Sequence, residues 1–271
     1  LGFGFSEQAD SFSVTPPTYR FDLTIEEDFI EELARIYGYD HIPIDFPRAD
    51  MAMLSVSENR RSPIEIKKLL VARDYQEVIN YAFVDADWEL DFVAGSQPIT
   101  LKNPIASQMN VMRSTLIGGL ISNLQFNLNR KQARVRLFEI GCCFIRNEEN
   151  DCKQIDKLAG LSYGDIVFEQ WGIPARSVDF FDVKADVEVL YGNQKIYFKK
   201  FSHPALHPGK SAQIYLEDKS IGWLGELHPH WQKKYGLQKN AILFEVDLES
   251  LLPKSLPIAR EISKFPPIRR D

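Results

Sequence analysis

The chain has 271 residues, room for one large domain or two smaller ones with a sizeable core. Hydrophobic residues make up 44% and charged residues 26%, with no apolar run of spanning length and no basic-then-apolar leader, which argues against membrane insertion and secretion. A net charge of −6 disfavours a self-sufficient nucleic-acid binder, and Cys142, Cys143 and Cys152 make neither a full disulfide set nor a paired zinc motif, so reduced thiols are expected.

Phe12 to Val14 reads as extended, and Pro16-Pro17 breaks it. Thr24 suits an N-cap, Glu27 three residues later completes a capping box, and Gly38 suits a left-handed C-terminal cap, which predicts a helix between them. Asp40 to about Asn59, with Pro43 and Pro47, reads as a linker. Ser62-Pro63-Ile64-Glu65 opens a second helix, with Ser62 as N-cap, Pro63 at the first helical position and Glu65 reaching back. Glu77 to Val84 is strand-like.

A longer helix is predicted from Ser114 to about Asn129, with Ile117, Leu120, Ile121, Leu124 and Leu128 on one face. Val135 to Phe144 reads as a buried strand. Asp182 is the predicted cap of a helix that places Val183, Val187, Leu190 and Tyr191 together and closes at Gly192. Ala212–Leu216 and Ile221–Leu227 form a predicted hairpin around Glu217-Asp218-Lys219. Strand runs mixed with separate helices imply an α+β fold with a largely antiparallel sheet.

On the first helix Ile25, Phe29, Ile30, Leu33, Ala34, Ile36 and Tyr37 fall on one arc, and Asp28, Glu31, Glu32 and Arg35 on the other, with Asp22 just before. Two readings of the acids stand. One is a solvated face, favourable near a helix N-terminus and paired to Arg35. The other is a hard-cation site, since magnesium takes oxygen ligands and uses few carboxylates plus water. His203, His207, His228 and His230 suggest a metal cluster at first sight. Pro204, Pro208 and Pro229 follow three of them, which argues against a helical HxxxH pair and for turn and sheet-end roles. Asp179, Asp182 and Asp186 fit capping and surface roles better than acid–base work. The basic clusters Arg130, Lys131, Arg134, Arg136 and Lys199, Lys200 lack a local aromatic pattern and read as solvated faces.

Several runs carry a resemblance. They are Pro16-Pro17-Thr18-Tyr19-Arg20-Phe21-Asp22 leading into the first helix, Asn103-Pro104-Ile105-Ala106-Ser107 followed by Val111-Met112-Arg113-Ser114-Thr115-Leu116, and Arg136-Leu137-Phe138-Glu139-Ile140-Gly141. His207-Pro208-Gly209-Lys210-Ser211-Ala212, Ile221-Gly222-Trp223-Leu224-Gly225-Glu226-Leu227-His228-Pro229 and Ile262-Ser263-Lys264-Phe265-Pro266-Pro267 follow in order. Together they resemble the β subunit of bacterial-type phenylalanyl-tRNA synthetase over nearly the whole chain.

The resemblance implies a layout. Residues 1–47 would be the later part of the subunit's fifth domain, a small α+β module, and 48–60 a linker. Residues 61–263 would be a class II synthetase-like core on an antiparallel sheet, and 264–271 the start of the anticodon-binding domain. It implies no catalytic residue in this chain. The α subunit's motifs need arginines on ATP phosphates, and the resemblance sets Ile145 and Ser250 at those positions, with Arg146 one place late.

It further implies a cytoplasmic (αβ)2 enzyme that charges tRNA(Phe), with ATP held only by α and magnesium shared with α at Asp22, Asp28, Glu31 and Glu32. The helix from Ser62, the strand ending near Val84 and the segment from Asn103 to Ser114 are the implied contacts with α, and an exposed apolar patch is expected there. An independently active ATP-using enzyme and a nucleic-acid module at 1–47 or along the basic strip are the rival readings.

Overall fold

The structure, a computed structural model, describes residues 1–49, 57–93, 98–146 and 151–254. Residues 264–271 and part of the 48–60 linker therefore lie outside the described residues. The chain divides into two compact units, 1–55 and 56–271.

In the first unit strands β1 (Gly4–Glu7) and β2 (Phe12–Thr15) form an antiparallel hairpin that pairs Gly4 with Thr15 and Glu7 with Phe12. Helix α1 (Glu26–Tyr37) follows. Its N-cap is Ile25 rather than Thr24, and Asp28 rather than Glu27 reaches back: its carboxylate accepts from the amides of Thr24 and Ile25 at 2.7 and 3.0 Å. An acid at the third helical position can satisfy two orphan amides at once, which Glu27 at the second position does not do here. Gly38 ends the helix at positive φ, its amide bonded to Ala34 O at 2.9 Å, but with ψ of 121° it is not a left-handed α cap. Of the apolar arc, Phe29 and Ala34 are half-buried, while Ile25, Ile30, Leu33, Ile36 and Tyr37 are exposed.

The second unit begins with α2 (Pro63–Val71), capped as its sequence predicts: Ser62 Oγ accepts from the Ile64 amide, and Glu65 accepts from the Ser62 amide, both at 3.3 Å. The predicted strand over 77–84 is interrupted. Only β3 (Gln76–Glu77) and β4 (Phe83–Val84) are strands. Between them Glu139 takes the Asn80 amide at 3.2 Å and its side-chain nitrogen at 2.6 Å, which turns the backbone out of the sheet. Helix α3 (Ala86–Phe92), capped by Asp85, precedes β5 (Ile99–Thr100) and β6 (Val111–Met112), which join β4 in a small antiparallel sheet in the order β4-β6-β5.

Helix α4 (Ile117–Leu128) starts three residues later than predicted, because Ser114 and Thr115 are held by Glu89 and Glu245. After it come β7 (Val135–Arg146), β8 (Cys152–Tyr163) and α5 (Phe180–Tyr191). Asp179, not Asp182, caps α5; Asp182 sits at the third position and accepts from the Asp179 amide at 2.9 Å. The chain ends its described course with β9 (Ile196–Lys200), β10 (Leu206–Leu216), β11 (Lys219–Leu227), α6 (Pro229–Lys234) and β12 (Ala241–Asp247). The β10–β11 turn is the pair Glu217-Asp218, with Glu217 at φ 54°.

The large sheet runs β3-β7-β8-β12-β11-β10-β9, antiparallel throughout except for the parallel β3–β7 contact. Alternation along its strands feeds two cores, one on each face. Phe138, Leu158, Phe244 and Leu224 meet Ile66 and Leu70 of α2 and Val183, Val187 and Leu190 of α5. Leu137, Ala159, Leu161 and Leu243 meet Ile117, Leu120, Ile121 and Leu124 of α4 and Phe92 of α3. Each fully buried aliphatic side chain contributes roughly 1.5–3 kcal/mol, so these two layers supply most of the unit's stabilisation. Entry and exit segments lie side by side: Arg61 N bonds Leu252 O and Lys254 N bonds Asn59 O, both at 2.7 Å. Among the described residues no helix is long and apolar enough to cross a membrane.

Candidate interface and charged clusters

The acids of α1 are already engaged. Arg20 Nη2 lies 2.7 Å from Asp22 Oδ2 and 3.1 Å from Glu32 Oε1, and Arg35 Nη2 lies 2.6 Å from Glu32 Oε2. The Arg20 guanidinium holds Asp22 below the usual carboxylate range, and Arg20 followed by Arg35 does the same for Glu32. Asp28 is held down by the Thr24 and Ile25 amides. Glu31 is exposed and stands apart. The fold thus joins Asp22 to Glu32 through Arg20 and leaves the other two acids separate. Among the described residues no three His, Cys, Asp or Glu side chains converge as a metal-ligand set.

A second charged cluster lies under α4, on the sheet. Glu245, 3% exposed on β12, accepts from Lys157 Nζ at 2.6 Å, Thr115 Oγ1 at 2.7 Å and the Leu116 amide at 2.8 Å. Burial opposes both charges. The pair overrides it, so Glu245 titrates below and Lys157 above their ordinary ranges. Glu89 binds the Ser114 hydroxyl and amide, yet burial leaves its carboxyl raised. Beside them Arg113 Nη1 reaches Glu139 at 2.6 Å and its Nε donates to Cys142 O at 3.0 Å. Arg113 lies flat on β7 because Gly141 has no side chain: a Cβ there would come within 2.2 Å of its Nη2.

The opposite face holds a third cluster. Asp186 is not the surface residue its sequence context predicts: it is 3% exposed and binds Arg73, Arg136 and the Tyr75 hydroxyl, which also accepts from Ser162 Oγ at 2.8 Å. Arg136 is thereby buried, contrary to a solvated role. The histidines do local work. Nδ1 of His203, His207 and His228 accepts from the amides of Ala205, Gly209 and His230 respectively, at 3.0–3.2 Å. Ile145 is half-buried at the end of β7, and Ser250 Oγ donates to Asp247 O at 2.6 Å within the turn after β12.

Apolar side chains stand out on the three implied contact elements. Ile64 and Val71 on α2 are more than half exposed, Ile79 and Tyr81 are 88% and 75% exposed, and Ile105 is 86% exposed. A cavity of about 340 Å³ opens beside Tyr81, Phe83, Trp88 and Met109.

Residues 42–248 match the family described as phenylalanyl tRNA synthetase beta chain CLM domain. The chain belongs to the phenylalanyl-tRNA synthetase beta-chain family. Residues 1–39 match the tRNA synthetase B5 domain. Proteins named phenylalanine–tRNA ligase beta subunit are similar across all of it: 58% identical over 271 residues in Nitrosospira multiformis, 50% over 271 in Chromobacterium violaceum and 48% over 279 in Ralstonia nicotianae. Each match covers 100% of this chain and 34% of the relative, so the chain spans about a third of the length of these relatives.

Within this beta-chain family member, sequence reasoning missed the Lys157–Glu245 and Asp186 clusters. The signals were there: Glu245 interrupts the apolar run Ala241-Ile242-Leu243-Phe244, and Asp186 falls one residue from Val187 on the inward side of α5.

Proposed function

We propose that this chain is the non-catalytic core portion of a phenylalanine–tRNA ligase β subunit, and that it supports assembly with the catalytic α subunit in a cytoplasmic (αβ)2 enzyme. ATP-dependent charging of tRNA(Phe) then takes place at α. The observation that carries this reading is the set of exposed apolar side chains Ile64, Val71, Ile79, Tyr81 and Ile105 on three elements of a beta-chain family fold. Large apolar side chains so exposed are unfavourable in water and suit burial against a partner. Mixing the chain with its cognate α subunit tests the reading: a stable complex at micromolar concentration is expected, and its absence overturns it.

The large antiparallel sheet is read as a class II synthetase-like sheet whose chemistry has been lost. Phosphate binding needs cationic side chains aimed at the site. Here Ile145 and Ser250 stand at the aligned positions, and Arg113, Lys157 and Arg136 are each committed to a buried acid. ATP–pyrophosphate exchange by the chain alone is therefore expected to be nil, and measurable exchange would favour an independent enzyme.

Magnesium is proposed only for the assembled enzyme. As folded, the four acids do not fit the ion, because Arg20 occupies the approach between Asp22 and Glu32 and Asp28 serves the backbone. Titration of Mg²⁺ into the complex and into the chain alone tests this: micromolar binding is expected in the complex, and equal affinity in both removes the shared-site reading.

A further inference from the structure

The basic stretch after α4 has the aromatic partners that its own sequence lacks. One is supplied by the helix just before it and one by a distant loop. Arg130 Cζ sits 3.3 Å from the Phe126 ring centroid, and Arg134 Cζ sits 4.7 Å from that of Phe168. Phe168 belongs to the loop between β8 and α5, residues 164–179. Arg134 fastens that loop, since its guanidinium donates to Asp165 O at 3.1 Å and Ile166 O at 2.9 Å. The loop is closed at its base by Ile166 N to Arg176 O at 3.0 Å and Val178 N to Gly164 O at 2.9 Å. Three residues beyond Phe168, Trp171 exposes its whole side chain.

Beside Phe168 lies a polar cavity of about 530 Å³, lined also by Gln76, Asn127, Gln132, Arg134 and Arg136. One nucleotide fits that volume. Phe168 is 69% exposed and backed by a guanidinium, so it offers an open π-face to a second ring. The amides of Gln76 and Gln132 make no side-chain hydrogen bond within the described residues, and such amides pair well with base edges. The exposed Arg130 and Lys131 directly precede Gln132 and can meet phosphates. Of the nearby acids, Asp74 pairs with Arg134 at 3.1 Å and Asp165 with Lys239 at 2.9 Å, while Glu169 has no ion pair among the described residues.

We propose that this cavity and loop bind an unpaired nucleotide of single-stranded nucleic acid, with the base stacked on Phe168 or Trp171 and its phosphates on Arg130 and Lys131. Val71 lines the cavity and also belongs to the apolar set assigned to the partner subunit, but none of the residues proposed to hold the nucleotide, Phe168, Trp171, Arg130 and Lys131, belongs to that set.

The test is fluorescence anisotropy with the full chain and labelled eight-nucleotide RNA, the matching DNA and the RNA duplex, at 50 and 200 mM salt. Both single strands are expected to bind, and the duplex much less. Phe168→Ala with Trp171→Ala should weaken binding about tenfold or more, at the scale of base–aromatic stacking. Both side chains are exposed, so an unchanged melting temperature checks the fold. Arg130→Ala with Lys131→Ala should flatten the slope of log affinity against log salt by about 0.7 per lost phosphate contact. No binding of either single strand at 50 mM salt, duplex binding as tight as single-strand binding, or full affinity in the aromatic double variant each overturns the proposal.

Discussion

Replacing Lys157 by Met should destabilise the second unit more than any surface change. Glu245 would keep two neutral donors, Thr115 Oγ1 and the Leu116 amide, but lose the cation it pairs with while 3% exposed. Breaking a buried pair from one side costs about 3–5 kcal/mol. For a domain of this size each kcal/mol moves the melting temperature by roughly 2–4 °C, so a fall of about 10 °C is expected. Adding Glu245→Leu should recover only part of the loss, since the Thr115 hydroxyl and Leu116 amide then lack an acceptor at about 1–3 kcal/mol.

The pH dependence separates this account from a packing defect. In the parent, the lowered Glu245 carboxyl stabilises fully above the ordinary carboxylate range, and that stabilisation is lost as pH falls through its folded value. The raised Lys157 stabilises fully below the ordinary lysine range, and its share is lost as pH rises through its folded value. In the Lys157→Met variant Glu245 prefers its proton, so the deficit should shrink on acidification from pH 8 to pH 5. Thermal melts by circular dichroism across that range provide the readout. A fall of less than about 2 °C, or a deficit that grows in acid, would refute the reasoning.

Other perturbations have equally specific outcomes. Glu89→Gln should match or exceed the parent's stability at pH 8 by up to about 1 kcal/mol, because burial raises the Glu89 carboxyl and its contribution is lost as pH rises through that value; the advantage should vanish near pH 4 in the same melts. Gly141→Ala places a Cβ 2.2 Å from Arg113 Nη2 and should cost about 1–3 kcal/mol in urea unfolding, by displacing a buried ion pair. Ile79→Asp with Tyr81→Asp should leave the melting temperature within about 2 °C, since both side chains are exposed, yet abolish complex formation with the α subunit in size-exclusion chromatography.

What the sequence made legible was local and periodic. Ser62, Pro63 and Glu65 announce α2 because capping chemistry needs only adjacent residues, and the 3.6-residue recurrence of Ile117, Leu120, Ile121 and Leu124 marks α4. Boundaries slipped where a distant side chain intervened. Glu139, almost 60 residues away, holds Asn80 in the break between β3 and β4, and Glu245, 130 residues away, holds Thr115 out of α4. The acids of α1 were visible as a patch, but not that Arg20 would bridge two of them, since spacing along the chain does not show how the turn before a helix folds back. The family motifs read correctly over the whole chain, while Arg134 read as solvated because its aromatic partner, Phe168, lies on a distant loop; Arg130 is exposed, and its partner Phe126 is one helical turn back.

The pairing of Arg61 with Leu252 and of Lys254 with Asn59 gives the second unit a doorway of its own. Arg61 seals it, donating to the carbonyls of Leu190 and Leu251 at 2.7 Å. A module whose two ends leave through one opening can sit within a longer polypeptide as a pendant, passing little strain to whatever precedes or follows it. It can also be re-cut: joining residue 254 to residue 59 by a few glycines and opening the Glu217-Asp218 turn should yield a permuted chain with the same sheet order, detectable as an unchanged near-ultraviolet circular dichroism spectrum.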